Sequence, residues 1–253
     1  MMMKKWGLYC ALSLAALGLH ANEAGDDGWH DSQLFVSASV DVDAQGKVMH
    51  LDLLPSSDPK FPPSLDTLAA DTIRQWDFVP ASLNGAPAPA HTFVHVTFQL
   101  RKNGNDYDAR VRYVGNGPEI DKTLAPKYPS DMIQGGTQAV LTMLVLVHPD
   151  GSLSDIHLES VTSTQKRPIN EFLHAATIAI KGWHAEPETV AGHAVTTWVR
   201  LPVNFNLRNP INGLRYDPQL EPSIDSPAKP SSAQTGDLAL AVDSPLKLRN
   251  QSP

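Results

Sequence analysis

Two stretches of the sequence, residues 35 to 101 and 139 to 208, follow one pattern. In the first, a turn glycine at Gly46 leads to Trp76, Pro80, Gly85 and the run Phe98-Gln99-Leu100-Arg101. In the second, Gly151 leads to Trp183, Pro187, Gly192 and Phe205-Asn206-Leu207-Arg208. The glycines stand 105 residues apart and the tryptophans 107, so the copies differ by two residues in between. Self-similarity at a nearly fixed offset predicts one small fold used twice.

Within each copy the hydrophobic pattern predicts a hairpin, a helix and a closing strand. Val36, Ala38, Val40 and Val42 alternate with Ser37, Ser39 and Asp41, the period-two signature of a strand with one wet face. A return strand follows over residues 47 to 54. Leu65, Leu68, Ala69, Thr72, Ile73 and Trp76 then recur at helical spacing, with Ser64 placed to cap the helix and Pro80 to end it. The last strand sets Val94, Val96, Phe98 and Leu100 on one face and His91, Phe93, His95, Thr97 and Gln99 on the other. The second copy repeats the plan with Leu141, Met143, Val145 and Val147, a helix face of Ile169, Phe172, Leu173, Ala176, Ile180 and Trp183, and a closing strand of Val199, Leu201, Val203, Phe205 and Leu207.

One helix across a three-stranded antiparallel sheet is the smallest arrangement that buries both apolar faces. The expected fold class is therefore α+β: two tandem two-layer domains, each a three-stranded β-β-α-β sheet covered by one helix. The expected boundaries are a signal peptide over 1–21, a first domain over 34–103, a linker over 104–123, a second domain over 124–208 and a disordered Pro/Ser-rich tail over 209–253. A short strand at Ala109 to Val114 is the one element foreseen in the linker. In the tail, Leu238, Leu240 and Val242 alternate with alanines beside Asp237 and Asp243, a pattern open to a strand seeking a sheet edge.

Lys4 and Lys5 precede an apolar run from Trp6 to Leu19, too short for the roughly 20 residues of a membrane span. Cleavage after the small Ala21 and export to the periplasm are expected. Such cleavage removes Cys10, the single cysteine, and with it disulfide or thiol chemistry. The formal net charge is -7, and no basic cluster is present. That balance argues against nucleic acid and anionic lipid as partners.

Chemistry finds no foothold. Asp41 to Gly46 followed by Asp52 resembles the start of a calcium loop, but its flanks alternate as strands do, and a plain hairpin turn explains it. His91 and His95 share a strand face yet sit roughly 13 Å apart at strand rise, too far for one metal. His184 and His193 with Glu186 and Glu188 are at most an adventitious ion site. With no nucleophile elbow and no phosphate loop, the reading is a non-enzyme with no metal, no cofactor and no small-molecule substrate.

Ala125-Pro126-Lys127-Tyr128-Pro129, the pair Gly135-Gly136, the apolar strand Val140 to Val147, Asp150-Gly151-Ser152-Leu153, and Trp183 four residues before Pro187 stand in a characteristic order. Together they resemble the C-terminal domain of TonB-type energy transducers over about 85 residues. Trp76-Asp77-Phe78-Val79-Pro80-Ala81 with Asn84-Gly85 resembles the same domain's helix exit, which makes the first copy a diverged example. The resemblance implies a hairpin-helix-strand fold in the periplasm. It also implies docking of a short peptide from an outer-membrane receptor by strand addition.

The sequence departs from the family pattern in two places. The family's membrane helix carries a serine and a histidine one turn apart before a proline-rich spacer, whereas here Ser13 and His20 are seven residues apart and Ala16 stands four before His20. Ala185 also replaces an aromatic that the first copy keeps as Phe78.

Two strand details bear on where a partner would sit. Val140, Leu144 and Leu146 make the second copy's first strand apolar on both sides, which predicts cover on both faces. Pro202 marks the closing strand of the second copy as an edge and removes a donor from it. The first copy, with His95 in that place, is expected to keep a complete row. The candidate partner-binding residues are thus the rim positions Thr92, Val94, His95 and Val96, the Tyr-Pro segment Lys127, Tyr128 and Pro129, and Thr197, Val199 and Leu201. The expected partner is an outer-membrane receptor peptide or another envelope protein. The alternative is a structural envelope protein whose tandem domains self-associate, as in a homodimer.

Overall fold

The computed structural model describes residues 28–55, 61–122, 124–165, 169–207 and 238–249. The expected signal peptide and most of the expected tail lie outside these residues. The chain divides into two units. The first takes the described residues up to Asn116, Val190–Gly192 and the stretch from Pro245; the second takes Gly117–Thr189 and His193–Ser244.

In chain order the elements of the first half are β1 (His30–Val42), β2 (Val48–Leu53), α1 (Pro63–Ile73), β3 (Phe78–Val79), β4 (Ala81–Leu83), β5 (Ala86–Ala88), β6 (Ala90–Asn103) and β7 (Asp106–Gly117). There follow β8 (Glu119–Asp121), α2 (Ser130–Gln134), β9 (Ala139–Val147), β10 (Leu153–Ser163), α3 (Asn170–Lys181) and β11 (His184–Glu186). The last are β12 (Thr189–Val190), β13 (His193–Ala194), β14 (Thr197–Phe205), β15 (Leu240–Ala241) and β16 (Lys247–Leu248). No helix among the described residues is long and apolar enough to cross a membrane. The architecture is α+β, with strands in the majority.

In the first unit, β1 lies between β2 and β6, antiparallel to both. Val36, Ala38, Val40 and Val42 are buried, as alternation requires when one face meets a helix. Leu65, Leu68, Ala69 and Ile73 form the buried stripe of α1. That helix starts at Pro63 with Pro62 as its N-cap residue, so Ser64 lies inside it and makes no cap. Prolines at a helix start have no N–H to satisfy, which removes the need for a capping side chain.

The expected linker is not one. Asp106–Gly117 is a 12-residue strand that pairs with β6, and Gly104 at φ 63 makes the reversal. The closing strand of this unit therefore has neighbours on both sides. Consistent with that, Phe93, His95 and Thr97 are buried on one face of β6 while Val94, Val96 and Phe98 are buried on the other.

In the second unit the order is β10-β9-β14-β15, antiparallel at each step. Leu141, Met143, Val145 and Val147 are fully buried against Phe172, Ala176, Ala179 and Ile180 of α3. On the other face of β9, Val140, Thr142, Leu144 and Leu146 are half-buried, so among the described residues that face is covered only in part. Their partial cover comes from neighbours in register. Leu144 stands between His157 and Arg200, and Leu146 pairs with Trp198. The His157 ring stacks on Trp198 with centroids 6.5 Å apart, and long amphipathic side chains of this kind shade apolar surface while their polar ends stay wet.

The turn glycines do the same work in each unit. Gly46 has φ 88 and Gly151 φ 81, a left-handed conformation that favours glycine. The Gly46 carbonyl accepts the Phe78 N–H at 2.8 Å, and the Gly151 carbonyl accepts the Ala185 N–H at 2.9 Å. A Cβ on Gly46 would meet the Phe78 oxygen at 2.0 Å, and one on Gly151 the Ala185 oxygen at 2.3 Å. Each hairpin turn is thereby tied to the chain leaving its helix.

Candidate functional site: the outer rim of the second sheet

An antiparallel strand directs its backbone groups alternately to its two neighbours. In β14, Trp198 bonds outward: its carbonyl accepts the Val242 N–H, and its own N–H donates to Asp243 Oδ1 at 2.7 Å. Residues of the same parity, Trp198, Arg200, Pro202 and Asn204, therefore present the outer row, and the odd residues face β9. Pro202 sits in that row and contributes a carbonyl but no N–H. The ladder with β15 covers Val199 and Arg200.

This parity corrects part of the sequence expectation. Thr197, Val199 and Leu201 are on the right strand, but their side chains are buried and their backbone groups turn inward to β9. The rim is made by Trp198, Arg200, Pro202 and Asn204, which the sequence reading did not assign. Pro202 carried the signal, because a proline tolerated in a sheet identifies the outward-bonding set. Outside the row, Arg200 Nε donates to both carboxylate oxygens of Glu159, at 2.9 and 2.8 Å.

Thr92, Val94, His95 and Val96 are a second correction. All four are buried, and β6 is bordered by β1 on one side and β7 on the other. Arg101 donates to Asp108, Arg110 to Gln99, and Asn116 to Thr92. These pairs show β7 following β6 from residue 101 back to 92. The row expected to be complete and open in the first copy is already used by the chain.

Lys127, Tyr128 and Pro129 line a cavity of about 710 Å³ with Leu124, His174 and Ile178, and none of its lining belongs to β14. The structure thus separates them from the outer row. Tyr128 itself is a packing residue. Its ring meets Phe172 and Phe205 edge-on, both at 5.6 Å, and its hydroxyl donates to the Thr137 carbonyl at 2.6 Å. Burial pushes that hydroxyl up to about 12, which keeps it protonated and donating. Trp183 holds the start of the same segment through Nε1 to the Leu124 carbonyl at 2.6 Å.

Residues 125–207 match the family described as Gram-negative bacterial TonB protein C-terminal. The chain is also 32% identical over 82 residues to Protein TonB of Xanthomonas campestris pv. campestris strain B100. It matches Protein TonB of strain ATCC 33913 of that pathovar to the same extent. The aligned part is 32% of this chain and 34% of the relative, so the chain spans about a third of the length of the curated relatives it matches. Residues 125–207, with their hairpin, covering helix and closing strand, thus form a domain similar to the C-terminal domain of TonB proteins.

Proposed function

We propose that this chain is a periplasmic TonB-like binding module that docks an extended segment of an outer-membrane receptor by strand addition, in support of transport across the outer membrane. The observation that carries the proposal is the outer row of β14. The pairing with β15 shows that Trp198 and Arg200 offer their main-chain groups outward to an extended segment laid antiparallel along β14. An extended peptide laid along such a row gains main-chain hydrogen bonds, and neighbouring side chains supply the selectivity. Trp198, Arg200 and the half-buried Leu144 and Leu146 are the side chains in position to do so. On this reading the two sheets descend from one duplicated unit, with strand orders β2-β1-β6 and β10-β9-β14. Only the second then keeps a docking row. Export with cleavage after Ala21 belongs to the same proposal.

The test is isothermal titration of the full chain with synthetic N-terminal segments of outer-membrane receptors, accompanied by amide chemical shifts. Saturable binding that shifts Trp198 and Arg200 is expected. No saturable binding together with a concentration-dependent dimer that occupies the β14 row would instead establish the self-associating structural protein, and binding that shifts β10 alone would overturn the β14 row as the docking site.

A further inference from the structure

The outer row of β14 is partly occupied by the chain's own C-terminal residues, and the way they are held has the form of a latch. Ala241 lies opposite Val199 and Leu240 opposite Arg200 in an antiparallel pair. The next rung is unusual. Val242 N–H donates to the Trp198 carbonyl at 2.7 Å, but the Trp198 N–H is taken by the Asp243 carboxylate rather than by a main-chain carbonyl. A side chain thus finishes a ladder only two residues long. One residue further, Ser244 Oγ donates to Glu188 Oε1 at 2.6 Å, and Glu188, fully buried, also accepts from Thr197 Oγ1 at 3.1 Å.

Small residues make room for this segment. Ala239 is buried in the core of the second unit. Gly117 stands where a Cβ would come within 2.9 Å of the Ala241 nitrogen. The contact is nonetheless slight in extent: Leu240 and Ala241 are half-buried, and Val242 is 44% exposed. Its main-chain ladder is two rungs long, supplemented by the Asp243 carboxylate, the Ser244 hydroxyl and the buried Ala239, against the five or six residues that a typical strand pairs.

We propose that residues 239–244 are a displaceable strap that closes the docking row of β14 from within the chain. The inference rests on the docking reading for what displaces the strap, though not for the strap's own opening. Tethering makes the strap an intramolecular competitor at an effective concentration that can reach the order of millimolar. An incoming peptide then binds only the fraction of molecules with the strap released, and its apparent affinity falls by that fraction. The class of displacing ligand follows from the geometry: an extended segment that offers main-chain groups to Trp198 and Arg200, with an acceptor at the position Asp243 fills.

The experiment uses the full chain, its variants Leu240→Pro and Asp243→Ala, and a synthetic peptide of the strap's own sequence, residues 237–244. Leu240→Pro removes the strap's N–H opposite Arg200, and Asp243→Ala removes the exposed carboxylate from Trp198. Both variants are expected to exchange the Trp198 amide about tenfold faster than the parent while β9 amides keep their protection. Both should also bind the strap peptide about tenfold more tightly. If Leu240→Pro loses protection in β9, Asp243→Ala carries the test alone, because Asp243 is exposed. Unchanged Trp198 exchange together with unchanged peptide affinity in Asp243→Ala overturns the strap. Receptor segments run in parallel separate the two readings. Strap-peptide binding without receptor binding to the variants sinks the docking proposal and leaves the strap, whereas equal receptor binding to parent and variants sinks the strap and leaves the docking.

Discussion

The closing strands β6 and β14 hold the same place in their sheets, each beside the first strand of a hairpin, yet their outer sides are finished differently. Beside β6 the chain folds straight back as β7, a 12-residue partner fixed by ion pairs and side-chain hydrogen bonds such as Arg101 to Asp108 at 2.9 Å. Beside β14 the chain supplies a two-residue ladder from far along the sequence, with the Asp243 carboxylate and the Ser244 hydroxyl as side-chain ties. Opening the hairpin seal would expose buried residues of β7 such as Ala109 and Asn116 and break its pairs with β6. A seal made by a short distant segment is reversible, because little surface is buried when it closes. The difference teaches that two sheets of like strand order can differ in what finishes one strand rim.

The largest effect tests whether the two sheets are built alike before they are finished differently. Gly46→Ala and Gly151→Ala each place a Cβ against a carbonyl oxygen, at 2.0 and 2.3 Å, in backbone of positive φ. Each is expected to lower stability by about 3 kcal/mol or more, since the turn must give up either its conformation or its bond to the helix exit. Urea denaturation followed by tryptophan fluorescence measures both. A large loss for one variant and none for the other would break the structural half of the comparison.

Next in size is a contrast of prolines. Val114→Pro places a proline inside the 12-residue strand β7, which pairs with β6, and should cost about 3 kcal/mol. Leu240→Pro in β15 should leave the denaturation midpoint within the range of a surface change, about 0.5 kcal/mol. Equal losses would mean that both seals are structural.

Much of this comparison was legible in the sequence, and the part that was not has specific causes. Period-two alternation in Val36 to Val42 and helical spacing from Leu65 to Trp76 gave the right elements, because each buries a single face and so leaves a clean pattern. The return strand β7 was read as linker holding only a short strand at Ala109 to Val114, although Asn103-Gly104 is a hairpin signal. Its arginines and aspartates masked the alternation. They tolerate partial burial here because they pair with β6, as Arg101 and Asp108 do. The strap was visible only as an alternation around Leu240, since two paired residues carry almost no periodic signal. Which edge β14 offers could have been read from the parity of Pro202. What could not be read was that the chain itself reaches that edge, because a pairing across some forty residues of sequence leaves no local trace.

Pro202 gives a smaller and more direct test. Pro202→Thr restores an N–H to the outer row of β14, one that a bound peptide can use. The gain expected is that of one added hydrogen bond, about 1 kcal/mol, or roughly fivefold in affinity for the strap peptide in the Asp243→Ala background. Titration of the double variant measures it. An unchanged affinity would place the bound segment short of residue 202 and shorten the docking row to Trp198 and Arg200.

The smallest expected effect concerns the two helix exits, which repeat the contrast in miniature. In the first unit β3 pairs with β16, setting Leu248 opposite Phe78 and Lys247 opposite Val79. In the second, β11 pairs with β8 and sets Glu186 opposite Glu119. Burial raises the Glu119 carboxyl above its ordinary value; Lys122 lowers it and Glu186 raises it further. A carboxyl whose value is higher in the folded chain than in the unfolded one holds its proton more tightly when folded. Its contribution to stability is therefore fully present below the unfolded value of 4.5 and is lost as pH rises through the higher folded value. At neutral pH the folded chain bears an unfavourable charge there, and Glu119→Gln is expected to raise the denaturation midpoint. The gain should shrink as pH falls toward 4.5 and vanish below it. Urea midpoints at pH 7 and pH 4 decide the matter: a gain that persists in acid would assign the Glu119 effect to packing rather than to the facing carboxylates.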